Sequence, residues 1–378
     1  MHICFIASEY PLPNRSFGGI GTFLLTYCDL LIKSGHRVSI VGVIKEDGVQ
    51  KKINGVHIFY KKKSSIKGIS WLINSKTISS IIKRVHQENK IDIIEAQEGG
   101  LAFVKIPKEI CKVVRMHGGH HFFHSFENNK LSLRKSILEK ITFKKTDAVI
   151  ATSDFVKTQT SKFLDFSNKK NITINNPIPV EQFYIGDKNK VVKGAIVFAG
   201  TICEKKGIRQ LCLALPKIRK KFPEVHLYIY GRDWFFPDGT LYKDWMLNQF
   251  SDEIKQHITF RKPVPYKELP QVYEFGEVCV FPSHMEVQGL VAPEAMCMEK
   301  VVVFTEYGPG PETIDDEING FLCRPLEIDN ISETIIKVLN NRKNNRSIET
   351  AAREKVLQKF SPEKILNKNC TFYNFLLQ

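Results

Sequence analysis

The chain has 378 residues, 43% of them hydrophobic, and a net charge of +15; this is a globular composition, too long for one ordinary core and suited to two domains. No apolar run approaches the ~18–20 residues of a membrane-spanning helix, and the nine scattered cysteines, an odd number without a Cys-x-x-Cys pair, exclude a disulfide framework or a zinc site built on such pairs. The charge is uneven: residues 1–180 hold 28 Lys+Arg against 14 Asp+Glu (+14), and residues 181–378 hold 27 against 26 (+1), which fits a half facing a polyanion or an anionic membrane, or a lysine-rich solvated surface.

The N-terminus enters a strand pattern at once, His2–Ser8, without a basic leader or cleavage site. Reduced thiols and a cytoplasmic location are therefore expected. A loop, Glu9–Phe17, leads to Gly18-Gly19-Ile20-Gly21 and a helix with Phe23, Leu24, Tyr27, Leu30 and Leu31 on one face, stopped at Gly35. Further strands are expected at Val38–Val43, His57–Tyr60, Ile91–Ala96, Cys111–Met116 and Ala148–Ala151. A polar stretch, Asn168–Asn171, precedes a linker placed at 176–192. The second half restarts with strands at Ala195–Ala199, His226–Tyr230, Ile258–Phe260, Val278–Phe281 and Val301–Thr305, helices near 207–221, 267–275 and 290–299, and a final helix in 362–378. Strands alternating with helices predict parallel sheets, hence two successive doubly wound α/β domains with ligands at the C-terminal strand edges.

The stretch Glu286–Met296 carries the most chemistry. Glu286 and Glu294, eight positions apart, flank a turn containing Gly289 between a strand and a helix. Backbone N–H groups at a helix start favour anions, and carboxylates suit sugar hydroxyls. Such a site wants a ligand with both phosphate and sugar. Lys206, before Gly207 and after the strand at 195–199, places a cation at another helix start, where it can neutralise a leaving diphosphate. Glycines at Gly18, Gly19 and Gly21 let backbone approach a ligand, although they do not spell the dinucleotide fingerprint. His117, with His120, His121 and His124 close behind, suggests a metal cluster at first sight, but no Cys or acidic partner has ligand spacing. The segment 119–130 reads better as a flexible loop on the acceptor side.

In these motifs the chain resembles the family 4 glycosyltransferases. The resemblance covers nearly the whole sequence and is carried by Pro282-Ser283, Glu286-x7-Glu294-Ala295-Met296, Lys300–Val303, Gly310-Pro311-Glu312 and Asn319-Gly320. Phe198-Ala199-Gly200, Lys206-Gly207, Val114–Gly118 and Gly18–Gly21 add to it in the same order. It implies the GT-B architecture: two Rossmann-like domains, 1–180 for acceptor and 181–360 for donor, facing an interdomain cleft, with a C-terminal helix, 361–378, returning to the N-domain. It also implies retaining transfer from a nucleotide-diphosphate sugar without metal or cofactor.

The same resemblance implies residue roles. Glu294 binds the ribose hydroxyls, Glu286 approaches the donor sugar, and the N–H groups of Gly289, Leu290 and Val291, beside Gln288, cradle the diphosphate. Lys206 contacts phosphate, His117 reaches the donor sugar or its phosphate, and Gly19 faces donor phosphate and acceptor. Thr201 stands where the family has an arginine; Lys205, Arg232 or Arg261 could supply that charge. Base recognition falls near Gly231-Arg232-Asp233 and Arg261–Val264.

A glycan or lipid-linked glycan is the expected acceptor, in surface polysaccharide or glycolipid synthesis. Residues 130–145 predict a basic amphipathic helix, with Leu133, Ile137, Leu138 and Ile141 on one face; with Lys61-Lys62-Lys63 it suits peripheral contact with anionic lipid, or else packs on the N-domain sheet. A nucleotide-sugar epimerase on the same fold is the second reading. A nucleic-acid binder is the third, and it lacks a recognition helix or an aromatic-basic RNA motif, so no nucleic-acid partner is expected.

Overall fold

The computed structural model describes residues 1–12, 17–126, 131–342 and 345–378. The chain folds into two compact units, Met1–Pro177 with Pro362–Gln378, and Ile178–Ser361.

The first unit is built on eight strands: β1 (His2–Ile6), β2 (Arg37–Ile44), β3 (Gln50–Ile53), β4 (Val56–Lys62), β5 (Ile93–Ala96), β6 (Cys111–Met116), β7 (Ala148–Ala151) and β8 (Lys170–Thr173). Their order is β3-β4-β2-β1-β5-β6-β7-β8, parallel throughout except where β3 pairs antiparallel with β4. Helices cover both faces, so the central strands are buried on both sides and read as near-continuous apolar runs, broken at Glu95 of β5. Chain order reverses between β1 and β5, and there a doubly wound sheet opens a crevice at its C-terminal edge.

A buried charge network ties the chain's end to this sheet. Arg115, 1% exposed on β6, donates from Nε to Glu95 Oε1 (2.6 Å) and from Nη2 to Glu95 Oε2 (3.0 Å) and Asn369 Oδ1 (2.6 Å). Tyr373 donates its hydroxyl to Glu95 Oε2 at 2.5 Å. The guanidinium lies 4.9 Å from the Phe23 ring centroid and 5.4 Å from that of Tyr27. Asn369 and Tyr373 belong to the helix Pro362–Leu377, whose Ile365, Leu366 and Phe372 enter the same hydrophobic core.

The second unit has six parallel strands: β9 (Ala195–Ala199), β10 (His226–Tyr230), β11 (Ile258–Arg261), β12 (Val278–Phe281), β13 (Val301–Thr305) and β14 (Phe321–Cys323). Their order, β11-β10-β9-β12-β13-β14, is the Rossmann arrangement, and its switch point lies between β9 and β12. The two doubly wound α/β domains are as the sequence predicts.

Several local expectations change. The stretch placed as a linker packs into the second unit, because Ile178 and Phe183 are fully buried in its core. In place of a flexible loop, His120–His124 forms a short helix; residues 127–130 lie outside the described residues. The helix Leu133–Lys145 turns polar Ser136, Glu139 and Thr142 inward with Phe143, whereas Leu133 and Ile137 are 78% and 52% exposed. Two of the three inward polar groups are bonded: Glu139 accepts from His121 Nδ1 at 2.5 Å, and Ser136 Oγ sits 3.0 Å from His121 Nε2.

Removing Arg115 leaves Glu95 buried without its counter-charge. Arg115→Ala is expected to cost on the order of 3–5 kcal/mol in urea unfolding, with Arg115→Met/Glu95→Leu recovering much of the loss.

Candidate active site

In the second unit, the crevice where β9 and β12 part receives the two most chemical loops of the sequence. The chain leaving β9 makes the turn Glu204–Lys206 and enters the helix Ile208–Lys221 through Gly207, whose φ is +69°. A Cβ at Gly207 would lie 1.8 Å from the Pro282 carbonyl oxygen, so only glycine lets this turn approach the loop after β12. The approach puts Lys206 Nζ 2.5 Å from Glu286 Oε1, and Ser283 Oγ donates to the same oxygen at 2.7 Å. Glu286 is 8% exposed, while the Lys206 side chain retains a quarter of its exposure. The pair is thus a half-open ammonium held against a buried carboxylate, ready to meet an anion.

Beyond Glu286 the chain turns at Gly289 (φ +73°) and starts the helix Val291–Cys297. A Cβ at Gly289 would come within 2.5 Å of the Phe304 ring. Gly289, Leu290 and Val291 therefore stand at the helix's opening turn, where backbone N–H groups have no partner within the helix. Gln288 beside them is buried, at 3% exposed. Glu294, one turn in, is 2% exposed; its Oε1 accepts from the Tyr266 hydroxyl at 2.9 Å and its Oε2 from the Tyr273 hydroxyl at 3.1 Å. Burial pushes its carboxyl up to about 7, against the lowering effect of the two tyrosine bonds. Each carboxylate oxygen keeps further acceptor capacity.

Thr201 lies half-buried in the loop after β9, and Arg232 and Arg261 stand exposed at the ends of β10 and β11. None of these three reaches the Lys206–Glu286 pair through a hydrogen bond or ion pair shown by the structure. Sequence reasoning assigned no role to Ser283, Tyr266 or Tyr273. Ser283, three positions before Glu286, was legible from spacing; the tyrosines, 28 and 21 positions from Glu294, were not.

In the first unit, the β1/β5 crevice gathers the glycine loop, His117 and an acid that the sequence did not single out. Gly21 is required by packing, since a Cβ there would meet the Glu9 carbonyl and Phe17 at 2.6 Å, whereas a Cβ at Gly19 would meet nothing within 4 Å. His117 follows β6, its ring centroid 5.1 Å from that of Phe23. Burial, helped by the Arg115 charge, depresses its imidazole to about 3, so it is neutral at physiological pH. Desolvation, together with the nearby Glu139 charge, raises the carboxyl of Glu98, 3% exposed, to about 8, against the lowering effect of the nearby backbone N–H groups of His117 and Gly118. Gly119 fits between the two acids: a Cβ would come within 2.5 Å of Glu139 Oε1 and 2.9 Å of Glu98 Cβ. His120 and His121 are drawn into this packing by Glu139, which accepts from both of their backbone N–H groups.

The profile described as "Glycosyltransferase Family 4" matches residues 17–182, and that described as "Glycosyl transferases group 1" matches residues 185–355. An uncharacterized glycosyltransferase of Methanocaldococcus jannaschii, MJ1607, is 24% identical over 403 aligned positions, covering 100% of this chain and 99% of that protein. The poly(ribitol-phosphate) alpha-N-acetylglucosaminyltransferase of Staphylococcus aureus is 31% identical over 158 residues, 41% of this chain and 30% of that one. Among solved structures, sucrose-phosphate synthase from Thermosynechococcus elongatus superposes with a TM-score of 0.84 at 18% identity, over 99% of this chain and 98% of the other. Anabaena Alr3699/HepE in complex with UDP and glucose gives 0.76 at 17% identity, over 99% of both chains. These superpositions show the GT-B fold, shared across wide sequence distance.

The raised Glu294 carboxyl makes stability pH-dependent. The unfolded chain ionises this group near 4.5 and the folded chain only near 7, so stability falls as pH rises between those values and levels off above. Urea midpoints from about pH 5 to 8 are expected to show a decline that is shallower in Glu294→Gln by roughly 2–3 kcal/mol.

Proposed function

The chain belongs to the GT-B glycosyltransferases of family 4, and from that premise we propose that it moves a sugar, with retention of anomeric configuration and without a metal, from a nucleotide-diphosphate sugar to a glycan or lipid-linked glycan. The observation that carries this reading is the half-open Lys206 ammonium, 2.5 Å from Glu286 at the β9/β12 crevice. A diphosphate competes with Glu286 for that ammonium, and the N–H groups of Gly289, Leu290 and Val291 add positive dipole beside it. Once Lys206 turns to the phosphate, Glu286 is left to accept from hydroxyls of the donor sugar, and Glu294 to accept from the ribose. His117, being neutral, can serve a sugar only as a hydrogen-bond partner.

In the proposed step the bond between the anomeric carbon and the leaving phosphate oxygen breaks, and its electron pair stays on the nucleoside diphosphate, stabilised by Lys206. The acceptor hydroxyl bonds to the same face of the anomeric carbon and passes its proton to the departing phosphate. Thr201 leaves Lys206 as the principal side-chain cation at this point, so the enzyme should depend on it strongly. The S. aureus relative and the HepE complex favour a polymeric acceptor and a nucleotide-linked donor, respectively. A thermal-shift panel of UDP, GDP and ADP with their common sugars identifies the donor. With that donor, Lys206→Ala and Glu294→Ala are expected to lower turnover on the order of 10²-fold or more, with EDTA without effect; near-wild-type turnover in either variant sinks the assignment.

Membrane contact is proposed for the first unit on separate grounds. Leu133 and Ile137 are exposed among Arg134, Lys135, Lys140 and Lys144, also exposed, on one helix, and the described residues contain no helix long and apolar enough to cross a membrane. Such a helix rests on anionic lipid through both terms at once. Co-sedimentation with phosphatidylglycerol vesicles is expected and should be lost in Leu133→Ser/Ile137→Ser; equal binding to neutral vesicles, or no binding, contradicts it.

A further inference from the structure

Next to the Gly231–Asp233 stretch read above for base recognition, residues 234–248 of the second unit carry an exposed aromatic surface to which that reading gives no role. Directly after β10 the chain forms a hairpin: Phe235 pairs antiparallel with Leu241, Phe236 N–H donates to the Thr240 carbonyl, and Tyr242 N–H donates to the Trp234 carbonyl, both at 2.9 Å. Two of the chain's three tryptophans, Trp234 and Trp245, lie here. Trp234, Phe235 and Trp245 are 42%, 58% and 40% exposed. Phe235, between Trp234 and Phe236 on the extended strand, points to the other side of the hairpin; the two tryptophans share one cluster through Phe236, and large rings turned to water together mark a binding surface more often than a structural one.

The rings are held rigidly. Phe236 stands edge-on to Trp234 (centroids 5.0 Å, 77°) and to Trp245 (5.5 Å, 68°), and Tyr242 packs 5.4 Å from Trp245. The hairpin's foot is fastened to the loop that bears the donor-site lysine. Ile202 N–H donates to the Arg232 carbonyl, Trp234 N–H to the Ile202 carbonyl, and the Tyr242 hydroxyl to Glu204, which opens the turn ending at Lys206. The aromatic face is therefore fixed to the same backbone that positions Lys206.

We propose that Trp234 and Trp245 form a glycan platform, stacking sugar rings of a polymeric acceptor away from the point of transfer. The inference rests on the glycosyl-transfer reading above. A pyranose ring presents an apolar C–H face that covers an aromatic ring while its hydroxyls stay in water. A nucleobase is a poorer match, because it needs one slot between parallel faces, and none of the ring pairs given for the cluster is stacked: they meet at 38–77°. Anionic lipid is a poorer match as well. Residues 231–248 hold Arg232 and Lys243 against Asp233, Asp238 and Asp244, a net charge of −1, and Lys243 Nζ already lies 3.9 Å from Asp233. What remains is a neutral ligand with several flat faces.

The test uses the full chain and tryptophan emission, which the hairpin dominates. It is titrated with maltohexaose, mannohexaose and N-acetylchitohexaose, and separately with vesicles of phosphatidylglycerol. At least one hexasaccharide is expected to shift emission and bind. Trp234→Ala should weaken that binding on the order of 10-fold. Trp245→Ala, at the platform's second ring, serves the same purpose should Trp234→Ala fail to fold. Thermal stabilisation by UDP, GDP or ADP is expected to persist in both variants. Binding unchanged by either substitution, no binding of any hexasaccharide, or a shift produced by vesicles alone overturns the platform. Absence of nucleotide stabilisation in the wild type instead overturns the glycosyl-transfer reading on which it rests.

Discussion

The contact between Lys206 and Glu286 depends on a topological fact, that β9 and β12 are neighbours in the sheet yet send their chains in opposite directions around it. The crevice this leaves is narrow enough that Gly207 must be glycine for the two loops to meet. An ammonium and a carboxylate brought together there hold one another, and on the proposed reading an incoming diphosphate displaces the carboxylate. Ser283 holds the carboxylate in place, since its hydroxyl bonds to the oxygen that faces Lys206. The helix beginning at Val291 then adds its first-turn N–H groups without any further charged side chain. Thr201, in place of a second cation, leaves this arrangement with little redundancy.

The first unit solves a different electrostatic problem. Arg115 and Glu95 are almost fully buried, which is tolerable only because each is bonded several times over, to one another and to Asn369 and Tyr373 of the last helix. The fold thereby recruits a distant stretch of chain to satisfy charges at the C-terminal ends of β5 and β6. The same charge helps to keep His117 neutral one strand-end away. Glu98 and Glu139, bracketing Gly119, fix the backbone that carries this histidine. The histidine-rich run that suggests a metal cluster in the sequence is organised in the structure by a carboxylate, with Glu139 bonded to His120 and His121.

Strands buried on both faces were legible in the sequence because nothing polar interrupts them: Ala195–Ala199, Val278–Phe281 and Val301–Thr305 have the bounds expected, and so does Cys111–Met116 despite Lys112 and Arg115. The edge was not. Gln50–Ile53 is mostly exposed and polar, although Asn54-Gly55, both with positive φ, is the turn signal that announces its hairpin with β4. In the helix at 133–145 the buried side is mostly polar, with Ser136, Glu139 and Thr142 beside Phe143, an arrangement that a pattern of apolar residues does not announce. The Glu286, Glu294 and Lys206 positions could be read because their spacing around glycine is local. Tyr266, Tyr273 and Glu98 could not, because their partners are set by the fold and not by neighbours in the chain.

Calorimetry of one nucleoside and its diphosphate, on the wild type and on Lys206→Met, addresses the central claim most directly. If Lys206 is the cation that receives the diphosphate, the substitution weakens the diphosphate by on the order of 10-fold or more and leaves the nucleoside nearly unchanged. An equal loss for both ligands, or no loss for the diphosphate, contradicts the account.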